Sequence, residues 1–346
     1  MTAGAGPLDS QYRPVWAGAM PDPYQLRLIL IRRIISKKLL GVDMHQISKR
    51  GGHARRASLP VLGTLLAVGL HAAPTSADEN LFGYVTGVDT LPKGAGEIYL
   101  WATDRRDKGQ GDYAAQDYRI EFERGLTDRL TGSLYLNWRH HEIEGAAPID
   151  ETGMPEYPDI DRFGFQGVQA SLKYNLVSPY THPVGLSLYV EPGYSEIFKI
   201  TGQKQQELSL ETKLIVQKNF LDDQLVWATN LTPEFEVRKF DGEQDWETEL
   251  AFEVTSGVSY RFAPKWFGAL EARYHSEYPD WPDSDVREHY GLFAGPSLHY
   301  GAERWWWTLT YLPQLTGRPA DASRDEDLHL HEHEKREIRL KVGYNF

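Results

Sequence analysis

Apolar and polar residues alternate with a period of two along most of the chain, and this pattern constrains the fold more than any other feature. The last ten residues, EIRLKVGYNF (337–346), place Ile338, Leu340, Val342, Tyr344 and Phe346 on one face of an extended chain. Twelve such segments, each of roughly nine to fourteen residues, follow one another between residues 98 and 346, a length that suits tilted membrane-spanning strands.

A soluble β-sandwich has the same local pattern, so other features must distinguish it from a membrane barrel. The connections alternate between short turns (GLTDRL, VSPYTHP, FLDDQ, APK, GAER) and longer loops near 104–113, 140–162, 196–205, 240–246, 276–288 and 317–334. The strand number is even, and aromatic residues cluster near strand ends, as at a lipid–water interface. Those aromatic residues are Trp101, Trp138, Tyr174, Tyr194, Trp227, Trp266, Tyr274, Tyr300, Trp305, Trp307, Tyr311 and Tyr344.

The predicted fold is therefore an all-β, single transmembrane, antiparallel up-and-down barrel of about twelve strands, with short periplasmic turns and longer outer loops. Unpaired backbone groups are costly in lipid, so the last strand should pair with the first. The inward face is rich in charge, with more carboxylates than bases. It comprises Glu121, Glu123, Arg139, Lys173, Glu191, Glu207, Glu211, Lys213, Glu234, Glu236, Arg238, Glu249, Glu253, Arg261, Glu271, Arg273, Arg339 and Lys341. Such charges can either seal the lumen in pairs or line a narrow polar path.

The N-terminal region has the features of a secretory signal. Residues 59–73, LPVLGTLLAVGLHAA, form an apolar run that follows basic residues between 49 and 56 and precedes small residues up to Ala77. We predict a signal peptide over 44–77 and a barrel over 78–346, exported to the outer membrane. Residues 1–43 are predicted to be a non-native upstream extension or a disordered segment. The alternative is a genuine extension that contains a basic amphipathic helix at a membrane surface.

Charge and cysteine content exclude several functions. Without residues 1–77 the chain carries 27 basic and 46 acidic residues, a net formal charge of −19. Nucleic acid is therefore not an expected partner. The sequence has no cysteine, which excludes zinc–thiolate sites, cysteine nucleophiles and disulfides.

Two stretches carry a resemblance to known proteins. The terminal VGYNF, together with the signal and the amphipathic strands, resembles Gram-negative outer-membrane β-barrels. More narrowly, FGYVTGVDTLPKGAGEIYLWATDR (82–105) and YRIEFERGLTDRLTGSLYLN (118–137) are similar to a family of such barrels without assigned function. The resemblance implies two partners, outer-membrane lipid and the barrel assembly machinery, which would read the C-terminal strand. It implies no catalytic or binding residue.

The predicted function is a narrow channel for passive diffusion of small polar solutes or cations. A non-conducting structural or adhesion barrel and a barrel-embedded lipid hydrolase are the alternatives. A hydrolase needs a nucleophile and a base within reach, and His275 and His299 fall on the predicted lumen face near Ser259 and Ser297. The chain has no P-loop, HExxH or GxSxG motif, so we predict no enzyme, no catalytic residue and no cofactor.

The motif DEDLHLHEHE (325–334) is the strongest local cluster of metal-ligating residue types. His329, His331 and His333 would share one face of an extended chain, with Asp325, Glu326, Asp327, Glu332 and Glu334 nearby. Imidazole with carboxylate suits zinc, copper or nickel. A solvated, charged outer loop is the competing interpretation, so these histidines are candidate ligands only.

Overall fold

The described residues fold into twelve antiparallel strands. The computed structural model describes residues 80–147, 159–319 and 327–346. The strands are β1 Gly96–Arg106, β2 Gln110–Thr127, β3 Leu130–Ala147, β4 Ile160–Val177, β5 Gly185–Ile197, β6 Lys204–Phe220, β7 Leu225–Phe240, β8 Glu247–Ala263, β9 Trp266–Pro279, β10 His289–Gly301, β11 Trp305–Pro319 and β12 Arg336–Asn345. No helix in these three ranges is long and apolar enough to cross a bilayer. The predicted signal peptide and residues 1–43 lie outside the described part of the chain.

Every strand pairs with its two neighbours in sequence, and β12 returns to pair with β1. The closing register runs from Glu97 opposite Asn345 to Arg106 opposite Arg336. Closure leaves no sheet edge with unpaired backbone groups, which is the condition for a sheet that spans lipid. The predicted fold class and the predicted pairing of the last strand with the first are confirmed.

The two faces of the wall separate as the alternation predicts. Leu100, Leu134 and Leu270 lie on the outer face and are 54%, 63% and 69% exposed in the isolated chain. Glu121 and Lys173 lie on the inner face and are buried. The interfacial position predicted for Trp101 is wrong, since its side chain lines the lumen cavity. Trp101 is preceded and followed by outward residues of β1, so its position in the alternation already placed it inside.

Aromatic residues form a belt towards each end of the outer face. The end of the barrel where β1 begins and β12 ends is here called the turn end. There the Trp305 and Tyr344 rings lie 4.8 Å apart between centroids. Towards the other end, here called the loop end, Tyr274 stacks on Tyr290 at 5.8 Å. Such belts match the two lipid–water interfaces of a barrel.

Several strands are longer than predicted, with lengths from 10 residues in β12 to 18 in β2, β3 and β4. At ~3.3 Å per residue and a tilt of about 45°, an 18-residue strand rises about 40 Å, above an apolar band of ~25 Å. The wall therefore projects beyond the bilayer at the loop end.

The strict alternation of loop lengths is wrong in detail. The first loop shrinks to 107–109 because β1 and β2 continue into the predicted 104–113 loop, and the 178–184 turn is one residue longer than the loop 198–203.

Four prolines inside strands each interrupt the ladder on one side only. Pro192 pairs opposite Leu210 of β6 but falls in a gap of the β4–β5 ladder. Pro233 pairs opposite Phe252 of β8 but falls in a gap between β6 and β7. Pro296 and Pro313 share a gap between β10 and β11. Proline has no backbone N–H, so a hydrogen bond is lost on the side where this donor would face the neighbouring strand. The pairing with the neighbour on the other side continues.

A charge on the lipid face should destabilise the barrel. We expect Leu270→Arg to lower the free energy of unfolding in lipid vesicles by about 2–4 kcal/mol, because the guanidinium would face hydrocarbon. Denaturant titration of the refolded protein measures this, with Leu270→Ala as the control for lost side-chain volume. Equal stability of the arginine and alanine variants would contradict the assignment of this face to lipid.

Candidate functional site

A segment before the first strand, residues 80–91, lies inside the barrel at the turn end and is here called the inner segment. The backbone N–H groups of Gly83, Tyr84 and Val85 donate to the carboxylate of Glu271 on β9, at 2.8, 2.8 and 3.2 Å. The three successive backbone donors surround the carboxylate as a nest of amides surrounds an anion, and this holds the segment to β9. Glu271 was predicted to face the lumen, but its role as an anchor was not.

The inner segment then follows the wall around part of the barrel. Its backbone donates from Thr86 to Asn230 of β7 at 2.7 Å, from Val88 to Gln217 of β6 at 3.0 Å, and from Leu91 to Thr131 of β3 at 2.8 Å. These polar lumen side chains satisfy backbone groups that have no strand partner, so the segment is held without belonging to the sheet.

Apolar side chains also anchor the inner segment. Phe82 is 1% exposed and packs with Val226, Ala228 and Ala269 on β7 and β9. Gly257 provides the space, because a Cβ there would lie 2.7 Å from the Phe82 ring. Full burial of such a side chain contributes about 1.5–3 kcal/mol, so the segment is fixed by packing as well as by hydrogen bonds.

Ion pairs line the lumen above the inner segment, and one of them joins strands that are not neighbours. Arg273 of β9 contacts Glu337 of β12 at 2.6 Å, although these strands are not neighbours, and also Glu253 of β8 at 2.6 Å. Arg105 of β1 contacts Glu337 at 3.1 Å and Asp117 at 2.7 Å. Arg273 and Glu253 were predicted to face inward, and both are paired here.

The wall from β5 to β8 is different, because carboxylates face one another there. Glu191, Glu211 and Glu234 lie directly opposite one another on β5, β6 and β7. Lys213 is the ammonium partner in this row, at 2.8 Å from Glu211. Like charges in directly opposite positions destabilise a sheet. This row is therefore a place where a further cation would be stabilised.

A second pair of carboxylates lies closer to the loop end. Glu236 of β7 is opposite Glu249 of β8, and Arg238 forms ion pairs with both. The ammonium of Lys199, from the loop between β5 and β6, lies 3.0 Å from Glu236. Arg238 and Lys199 therefore neutralise the negative charge of the second pair more completely than Lys213 neutralises that of the first row.

A cavity of about 330 Å³ lies in the lumen beside the first row. Its lining includes Glu191, Glu211 and Glu234 on one side and Trp101 and Arg119 on another. At ~30 Å³ per water molecule the cavity holds on the order of ten waters, enough for a small hydrated cation or polar solute.

The residues considered for a hydrolase do not form a catalytic arrangement in the described structure. The Ser297 hydroxyl bonds the Glu271 carboxylate and lies 2.7 Å from the Thr310 hydroxyl, and His299 bonds Thr308 at 2.7 Å. Ser259 is buried, and its hydroxyl has no hydrogen-bond partner among the described residues. These groups belong to the packing of the lumen around the inner segment.

The predicted metal candidates lie at the loop end, in a segment of turns and bends rather than in an extended chain. His329 and His333 are buried and pack on His289 of β10, with ring centroids 4.9 Å from it in both cases. His331 stacks on His329 at 6.1 Å, and its Nε2 lies 3.9 Å from Glu332. Asp325 and Glu326 lie outside the described residues.

Two partners in this cluster were missed by sequence analysis. Glu277 at the end of β9 and His289 at the start of β10 face the loop, with His289 Nε2 3.2 Å from Glu277 Oε2. Both residues fall on the inward face of the period-two alternation, at the end of the strands where the histidine motif 325–334 lies. This position could have identified them from the sequence. Burial lowers the pKa of His329 to about 3, so this imidazole is neutral at pH 7.

A closed antiparallel barrel with an apolar exterior, two aromatic belts and a polar lumen defines an outer-membrane β-barrel. The chain belongs to the family of unknown function DUF6662, whose model matches residues 74–346.

Three of the solved structures that are similar to this chain are a channel and two porins. The COG4313 outer membrane channel from Pseudomonas putida F1 is similar over 75% of this chain and 98% of its own, with a TM-score of 0.51 and 12% identity. The NanC porin matches over 71% and 98% of the two chains with a TM-score of 0.42 and 10% identity. The KdgM porin, solved in complex with disordered oligogalacturonate, matches over 73% and 99% with 0.36 and 12%. We found no significant match among curated proteins.

Proposed function

We propose that the protein is a narrow outer-membrane channel for passive diffusion of small polar solutes, with a preference for cations. The observation that carries the proposal is the row of Glu191, Glu211 and Glu234, which face one another beside the lumen cavity. The carboxylates repel one another in a site of low dielectric, and a passing cation relieves that repulsion. An anion gains nothing from this wall.

The inner segment limits the width of the path through the lumen. It occupies the lumen at the turn end, and the ion pair of Arg273 with Glu337 joins strands that are not neighbours above it. Both features narrow the passage, which favours small solutes over oligomers. The Pseudomonas putida F1 protein of similar fold is named an outer membrane channel, which agrees with the proposal.

A non-conducting structural or adhesion barrel is the second candidate. The ion pairs of Glu337 with Arg105 on the neighbouring strand and with the more distant Arg273 favour it, because paired charges and a packed inner segment can close a lumen. Planar-bilayer recording of the purified protein distinguishes the two candidates. A channel gives discrete conductance steps, whereas a total absence of conductance would refute the channel proposal.

We also propose that the C-terminal strand is read by the barrel assembly machinery and that the outer face contacts outer-membrane lipid. The outward Ile338 and Leu340 are 43% and 40% exposed in the isolated chain, and Phe346 at the chain end is 46% exposed. These apolar groups are free for contact before the barrel closes and inserts.

Neutralising the carboxylate row should remove most of the cation preference. For the triple variant Glu191→Gln, Glu211→Gln and Glu234→Gln we expect the cation-to-anion permeability ratio to fall at least about threefold, since the negative wall is lost. Reversal potentials in a tenfold KCl gradient measure the ratio.

The control carries the same charge change outside the lumen row, in Asp222→Asn, Asp241→Asn and Asp285→Asn, which are exposed positions. Its permeability ratio should stay close to that of the wild type. An unchanged ratio in the glutamate variant would show that the row does not select the ion.

A further inference from the structure

The loop end holds a second cluster of ligand types that the channel proposal does not use. One ligand atom each from Glu277, His289 and Glu332 lies within 4.8 Å of the others. These residues come from β9, β10 and the segment before β12, so the fold rather than a local motif brings them together. In a tetrahedral site with bonds of ~2.0–2.1 Å, ligand atoms are about 3.4 Å apart, so closing around an ion requires movements of about 1.5 Å or less.

The imidazoles of His329 and His333 lie beside this group, and several ring nitrogens of these buried histidines have no hydrogen-bond partner among the described residues. His289 is 1% exposed and its Nδ1 has no hydrogen-bond partner among the described residues. The same holds for both ring nitrogens of His329 and for Nε2 of His333, which are 4% and 5% exposed. Leaving a buried polar atom unpaired costs about 1–3 kcal/mol. A neutral imidazole has one N–H and one lone pair, so these three neighbouring rings can offer up to three lone pairs to a bound ligand.

Two glycines provide the space for these histidines. A Cβ at Gly291 would lie 2.7 Å from the His333 ring, and a Cβ at Gly317 would lie 2.8 Å from the Cβ of His329. The segment is also fixed through its backbone, because Gly109 N–H donates to the Leu330 carbonyl at 2.6 Å. The imidazoles are thus held against β10 and β11 and not on a free loop.

The carboxylates of the cluster contact imidazoles, whereas the nearby bases are directed elsewhere. Glu277 lies 3.2 Å from His289 and 3.6 Å from His275. Lys108 donates to the carbonyl oxygen of Glu332 at 2.6 Å and lies 3.6 Å from Glu334. The two carboxylates therefore keep lone pairs for an ion.

The cluster is open to the outer solution. A cavity of about 390 Å³ lies beside it, lined by Val286, Arg287, His289, His331 and Glu332 among others. Glu277 and His289 also lie beyond the aromatic pair of Tyr274 and Tyr290 that marks the lipid–water interface at the loop end. An ion can therefore enter from water without crossing lipid or the lumen.

We propose that Glu277, His289 and Glu332, with His329 or His333 as a fourth ligand, bind one divalent transition-metal ion of the Zn²⁺ type. Imidazole nitrogen with carboxylate oxygen is the ligand set that Zn²⁺, Cu²⁺ and Ni²⁺ prefer, while Ca²⁺ and Mg²⁺ take oxygen alone. The bound ion links the segment before β12 to the β9–β10 rim. The site is separate from the carboxylate row of the channel.

Isothermal titration of the full-length, detergent-purified protein with Zn²⁺ tests the proposal. We expect one Zn²⁺ per chain for the wild type, and at least about tenfold weaker binding for Glu277→Gln combined with His289→Gln. Ca²⁺ should not compete. His182→Ala, at an exposed turn-end histidine, is the matched control and should bind like the wild type.

Folding of each variant is checked by the mobility shift of unheated barrel on a denaturing gel. If the double variant does not fold, Glu332→Gln replaces it, with at least about fivefold weaker binding expected from the loss of one ligand. Co²⁺ in place of Zn²⁺ should give the visible absorption of a four-coordinate site. The proposal is overturned if folded wild type binds no Zn²⁺ at 100 µM, a concentration set on the order of the weakest metal sites in proteins. Binding of equal strength by the folded variants would overturn it as well.

Discussion

Deleting residues 80–91 is expected to raise single-channel conductance at least about threefold, because this removes the inner segment from the turn end of the lumen. The segment is held by Glu271, Asn230, Gln217 and Thr131, and all four are polar side chains that water can satisfy once the segment is absent. The wall itself has its own ladders on both sides of every strand, so the barrel should remain closed. Planar-bilayer recording at fixed salt and voltage measures the change.

A milder variant tests the anchor alone. Glu271→Gln weakens the three backbone bonds from Gly83, Tyr84 and Val85, and we expect a smaller conductance increase with more frequent transitions between levels. Glu243→Gln is the control, since Glu243 is exposed in the loop between β7 and β8. Equal conductance of the deletion variant and the wild type would show that the inner segment does not limit flow.

Deleting Phe346 should reduce the amount of folded barrel in the outer membrane at least about fivefold. The last residue exchanges two backbone hydrogen bonds with Gly96, at 2.9 and 2.8 Å, and its ring lies over that glycine. These contacts complete the β1–β12 seam, and each lost hydrogen bond costs ~0.5–1.5 kcal/mol. The folded fraction is measured as the heat-modifiable band in isolated outer membranes.

Further variants distinguish loss of the β1–β12 backbone hydrogen bonds from loss of the Phe346 ring. Phe346→Ala keeps the backbone bonds, and Phe346→Trp keeps an aromatic end. Phe220→Ala removes a similar exposed ring at the turn end of β6 and should have little effect. If Phe346→Ala refolds normally in detergent but is depleted in cells, the assembly machinery reads the ring. Wild-type levels of the deletion variant in cells would contradict the proposed role of the terminus.

Much of the barrel was predictable because its signal is local. The alternation in EIRLKVGYNF places Arg339 and Lys341 inside and Leu340 outside, and a membrane requires the last strand to find the first. Loop lengths were less predictable, since polar residues beyond the bilayer can extend a ladder, as between β1 and β2. The surplus of lumen carboxylates was visible, but their opposition in one row depends on register between separate strands.

The inner segment and the metal cluster depend on contacts that are distant in sequence. Phe82, Val85, Val88 and Leu91 recur every three residues, a spacing that differs from the period of two, and this signal could have set the segment apart. Its hydrogen-bond partners lie 38 to 261 residues away, so no local pattern identifies them. The motif around His329 and His333 was recognised, but Glu277 and His289 join it only through the closure of β9, β10 and β12.

The anchoring of the inner segment also dictates an order of events in folding. Asn80 accepts a hydrogen bond from Thr308 and its side chain accepts another from Lys341, residues 228 and 261 positions later in the chain. Synthesis produces the N-terminal part first, yet its binding site is complete only when β11 and β12 have been made. Contacts of such high sequence separation form slowly. We therefore expect the segment to dock last, so that a newly closed barrel passes through a wider, unplugged state before it matures.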